Sequence, residues 1–99
     1  MLHIVNKSPS RTRTLDSCLR LAQDGQALLL IEDGVYAATS RSPAADAVRT
    51  ALTRLKVFAL QPDLEARGVH TAVLDGVTLV DYGGFVDLVA EHTTSNSWL

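Results

Sequence analysis

The chain has 99 residues, 46% hydrophobic and 20% charged, with a formal net charge of −2. This is the composition of one folded domain spanning 1–99, and it excludes a disordered chain and a uniformly basic nucleic-acid glove. A single cysteine excludes an internal disulfide, and no apolar run approaches the roughly 18 residues of a membrane helix.

In chain order, Leu2-His3-Ile4-Val5 is a short, β-branched apolar run and predicts a strand. The opening lacks a signal peptide's basic start and small-residue cleavage site, so a cytoplasmic protein with a reduced thiol is expected. Residues 7–13 are rich in Ser, Arg and Pro and predict a loop. Thr14 is a candidate N-cap for a helix over 15–23, with Asp16 in its first turn and Leu15, Leu19 and Ala22 inward. Asp24-Gly25 ends it. Ala27-Leu28-Leu29-Leu30-Ile31 is apolar at every position, which predicts a strand covered on both faces, as in a parallel sheet.

Glu32-Asp33-Gly34 closes that strand, and Val35-Tyr36-Ala37-Ala38 predicts a short helical turn. Pro43 suits the first turn of a second helix running to about Leu55, with Ala47, Leu52 and Leu55 inward. Val57-Phe58-Ala59-Leu60 reads as a third strand, followed by a short helix opened by Pro62 and stopped by Gly68. Val77-Thr78-Leu79-Val80 reads as a fourth strand, and Asp81 as the cap of a last helix to about Glu91. Residues 93–97 read as a polar tail before Trp98-Leu99. Strands alternating with helices predict a small α/β three-layer sandwich with a mostly parallel sheet. In such sheets function gathers beyond the carboxyl ends of the strands. Four clusters are expected there: Asn6-Lys7, Glu32-Asp33, Gln61-Pro62 and Asp81-Tyr82.

Charge is uneven along the chain. Residues 1–31 balance at +2 and residues 62–99 at −5, which suits either two solvated faces or subunits docking acidic edge to basic edge. A chain this short buries only about 60–65% of its unfolded surface, so help from partner subunits is expected.

The chemical motifs are few. The first strand-to-helix loop has no glycine and no GK[ST] occurs, which argues against a phosphate-cradling nucleotide loop. A phosphorelay receiver lacks its lysine after the last strand. His3, His70 and His92 lie far apart and Cys18 has no CxxC partner, so no metal and no cofactor are expected. Cys18 is the one residue with unusual chemistry. About one turn into the first helix, it gains thiolate character from the helix terminus and from Arg11, Arg13 and Arg20, while Asp16 opposes this. Two readings stay open: a reactive thiol near the sheet's carboxyl rim, or a small apolar side chain beside Leu15 and Leu19. Trp98 is either a residue packed on its own domain or, with Leu99, an interface anchor.

Together these pieces resemble the DsrH/TusB family of sulfur-relay subunits. The matching stretches include Asn6-Lys7-Ser8-Pro9, Ser17-Cys18-Leu19, Leu28 to Ala38, Lys56 to Leu60 and Asp63 to Gly68. Val80-Asp81-Tyr82-Gly83-Gly84-Phe85-Val86-Asp87-Leu88 and the closing Trp98-Leu99 complete the set. Residues 41–54 and 69–76 match least. The resemblance implies a subunit of a cytoplasmic sulfurtransferase heterohexamer rather than a stand-alone enzyme. It implies DsrE/TusD-like and DsrF/TusC-like partners and a DsrC/TusE-like sulfur carrier; no membrane partner is expected without a long apolar run, and no direct nucleic-acid contact given the acidic second half. The family's principal active cysteine lies on the DsrE/TusD-like chain. A cysteine in the first helix matches the DsrH branch of the DsrEFH complex, which implies sulfur oxidation with Cys18 as candidate persulfide carrier. The alternatives are a TusB-like subunit serving 2-thiolation of the tRNA wobble uridine, or an architectural subunit with the chemistry on a partner.

Overall fold

Ala27–Leu30 is apolar throughout because it is the middle strand of a sheet covered on both sides. The computed structural model describes residues 1–98, and Leu99 lies outside the described residues. Its strands are β1 (Leu2–Val5), β2 (Ala27–Leu30), β3 (Lys56–Leu60), β4 (Thr78–Val80) and β5 (Ser95–Trp98). All pairings are parallel, in the order β4-β3-β2-β1-β5. The sequence-based expectation of a small α/β sandwich on a parallel sheet is met.

Successive side chains alternate across the sheet. Val5, Leu28, Leu30, Val57 and Ala59 share the larger core with Leu15 and Cys18 of α1 (Thr14–Leu21). Ala45, Val48 and Ala51 of α2 (Ala45–Ala51) and Leu64 of α3 (Gln61–Ala66) join the same core. A 3₁₀ segment, Glu32–Ala38, adds Val35, Ala37 and Ala38. The opposite face holds Leu2, Ala27 and Leu29, covered by Phe85 and Leu88 of α4 (Tyr82–Glu91). One face therefore carries three helices and the other carries one.

Several local expectations shift. Thr14 is the first helical residue rather than the cap, because the Ser17 amide already bonds to the Arg13 carbonyl. The far end of α1 is closed from a distance: Arg54 Nη1 donates to the Ala22 carbonyl at 2.7 Å and Nη2 to the Leu19 carbonyl. α2 starts at Ala45, two residues past Pro43, after the Ser42 hydroxyl accepts the Ala44 amide at 3.0 Å. That frame turns Ala45, Val48 and Ala51 inward and leaves Ala47 exposed, which corrects the expectation for Ala47, whereas Leu55 is buried and Leu52 packs against the core as expected. Pro62 sits at the start of α3, and the Asp81 carboxylate caps α4 by accepting the Gly84 amide at 2.8 Å.

The polar tail is the largest correction. Residues 95–98 add a fifth strand to the edge of β1, with Ser95 beside Leu2 and Trp98 beside Val5. Ser95, Asn96 and Ser97 are exposed along this outer edge, while Trp98 packs against the larger core.

Candidate functional site

The carboxyl ends of the strands bring the loops together. Asn6 follows β1, Glu32 and Asp33 follow β2, Asp63 sits on α3 just after β3, and Asp81 follows β4. Asn6 Nδ2 donates to Glu32 Oε2 at 3.4 Å, and the Glu32 amide donates to Asp63 Oδ2 at 2.6 Å. Glu32 holds φ +51, a left-handed backbone that a non-glycine residue adopts only when its surroundings enforce it. Two residues on, a Cβ at Gly34 would lie 2.3 Å from the Val5 carbonyl oxygen, so only glycine allows this segment to cross the end of β1. Arg67 closes the cluster, with Nε on Asp33 Oδ1 at 2.9 Å and Nη1 on the Asp63 carbonyl at 3.2 Å. Sequence reasoning missed Arg67, although it is the sole basic residue in the acidic last third of the chain.

Cys18 does not join this cluster. It is the fifth residue of α1, with 0% of its surface exposed, packed in the larger core. Burial pushes its thiol up from 9.0 to about 11, and the positive charge of Arg54 offsets this only in part. Of the two readings the sequence leaves open, the enclosed side chain sharing the core with Leu15 is the one observed. Helix position explains this: Cys18 is three residues after Leu15 and four before Ala22, on the same buried stripe.

Trp98 is half-buried and packs against the larger core. Its indole Nε1–H donates to His3 Nδ1 at 3.2 Å, with the two rings 6.2 Å apart. His3, itself buried, pairs through Nε2 with Gln26 Oε1 at 2.7 Å. With Nδ1 accepting, these partners assign a neutral ring carrying its proton on Nε2. The network ties β5 to β1 and to the turn before β2. As candidate interface residues, Trp98 thus has a partner within its own chain and Leu99 lies outside the described residues.

A surface missed in the sequence lies on α4. Tyr82, Val86 and Val89 are 62%, 65% and 40% exposed. Their spacing of four and three residues sets them on one stripe beside the half-buried Phe85 and the buried Leu88. An apolar stripe left open on the side of the sheet with a single helix is the arrangement a neighbouring chain would cover. Among the described residues no helix is long and apolar enough to cross a membrane.

Comparison with known proteins bears on this geometry. The family described as DsrH like protein matches residues 7–95. The chain is 37% identical over 99 residues to Protein TusB of Pectobacterium parmentieri, covering 99% of this chain and 100% of the relative. It is 38% identical over 98 residues to Protein TusB of Escherichia coli (strain K12), with the same coverage. A solved protein of unknown function from Methanobacterium thermoautotrophicum shares the fold at a TM-score of 0.75 and 22% identity, covering 97% of this chain and 95% of that one. A Thermotoga maritima protein does so at a TM-score of 0.61 and 24% identity, covering 93% and 94%.

Proposed function

The chain belongs to the DsrH-like family, and on that premise we propose that it is an architectural subunit of a cytoplasmic sulfur relay. In this reading persulfide chemistry takes place on a partner chain. The observation that carries it is the burial of Cys18, with its thiol pushed up to about 11. A sulfur carrier attacks as thiolate and must meet donor and acceptor in turn. A fully enclosed, protonated thiol does neither.

The partners follow from the family resemblance: DsrE/TusD-like and DsrF/TusC-like subunits in a heterohexamer, serving a DsrC/TusE-like carrier. The Tyr82, Val86 and Val89 stripe supports a docking role for α4. Asp81, Asp87 and Glu91 lie at or along the same helix, which favours a partner with an apolar centre and a basic rim. Full-length similarity to proteins named TusB favours 2-thiolation of the tRNA wobble uridine as the pathway served. The presence of Cys18 in α1 favours a second reading, sulfur oxidation with Cys18 as carrier thiol. That reading requires α1 to release the thiol from the core within the assembly.

The test uses the complex assembled with its partner subunits. Cys18→Ala retains relay activity, whereas Val86→Lys leaves the isolated chain folded but prevents assembly. Loss of relay by Cys18→Ala in a fully assembled complex overturns the architectural reading and supports the carrier reading.

A further inference from the structure

Beyond the carboxyl ends of β1 and β2, residues 8–11 and 39–43 wall a cleft of about 570 Å³. That volume lies within the range of small-molecule sites, about 300–1,000 Å³. Its charges are not balanced. Asp33 lines the cleft, but its carboxylate is already held by Arg67 at 2.9 Å. Arg11 and Arg41 line it too, and among the described residues neither takes part in a salt bridge. Two arginines without a salt-bridge partner among the described residues thus line one concavity, and its single carboxylate is engaged by Arg67.

The remaining wall suits a small polar ligand with an organic body. The Ser8 and Ser10 hydroxyls are 2.9 Å apart, so one donates to the other and one O–H remains to donate elsewhere. Pro9, Tyr36, Pro43 and Val69 form the apolar part. Guanidinium forks match tetrahedral oxyanions through paired N–H donors, and two uncompensated positive charges match a dianion better than a carboxylate.

We propose that this cleft binds a dianionic tetrahedral oxyanion of the phosphate type, clamped between Arg11 and Arg41. Tyr36 and the two prolines contact whatever body the oxyanion carries. The site stands on the cleft and its charges, independently of the sulfur-relay reading.

The experiment titrates the full chain with inorganic phosphate, phenyl phosphate and acetate, followed by amide NMR shifts. Saturable shifts are expected at residues 8–11, 36 and 39–42, with Kd below about 1 mM for at least one of the two phosphates and much weaker binding of acetate. Arg11→Gln and Arg41→Gln each weaken binding at least tenfold. Arg49→Gln, an exposed residue outside the cleft already paired with Asp46 at 2.8 Å, leaves it unchanged. Tighter binding of phenyl phosphate than of phosphate identifies an organic monoester as the source, and equal binding identifies the inorganic anion. Two results would overturn the proposal: no saturation with either phosphate, or equal loss in Arg49→Gln.

Discussion

Alkylation of Cys18 by iodoacetamide reads the buried thiol directly. The folded thiol titrates at about 11 against an ordinary 9.0, so at pH 8 roughly one folded molecule in a thousand holds a thiolate, against about one in ten when unfolded. The electronic effect alone is therefore about a hundredfold, and full enclosure slows access further. We expect the folded chain to react at no more than about 1% of the rate in strong urea, with a rate that keeps rising towards pH 11. The same shift has a signature in stability. Because the folded thiol is harder to ionise than the unfolded one, this contribution is fully present below pH 9 and is lost as pH rises from 9 to about 11. Two units correspond to roughly 2–3 kcal/mol, read as the difference between the native chain and Cys18→Ala across that window. A folded rate within about threefold of the unfolded one, or a profile centred near 9, would mean that the Cys18 thiol is neither enclosed nor shifted.

Three further perturbations follow from the same contacts. Gly34→Ala drives a Cβ against the Val5 carbonyl, and chemical denaturation is expected to show a loss of about 3 kcal/mol. Arg54→Met removes the guanidinium bonds to the Leu19 and Ala22 carbonyls. It should cost about 1–2 kcal/mol in denaturant and move the Cys18 alkylation profile to still higher pH, since Arg54 is the charge that lowers that thiol. Asp81→Ala deletes the cap on the Gly84 amide and should cost about 1 kcal/mol by thermal melting, with Asp81→Asn recovering most of it.

Most of the fold was legible because its signals are local. The unbroken run 27–31 points to a strand covered on two sides, Pro62 opens α3, and Asp81 caps α4. β5 was not legible, because Ser95, Asn96 and Ser97 carry no apolar pattern of their own. Pairing to β1 and the Trp98–His3 bond hold that edge, and both join residues more than ninety positions apart. Arg54 escaped for the same reason, as did the Arg67–Asp33 pair, the partners lying about 30–35 residues away. Cys18 is the instructive case. The spacing that sends Leu15 and Ala22 inward also sends Cys18 inward, as the buried of the two readings had it. In a helix of eight residues on a covered sheet, position on the stripe outweighs the charge of exposed neighbours.

Intact-mass analysis of every subunit after the assembled complex meets a persulfide donor separates an architectural from a carrier role. The added sulfur is expected on a partner chain, while this chain keeps its unmodified mass. A gain of one sulfur on this chain, lost in Cys18→Ala, would contradict it.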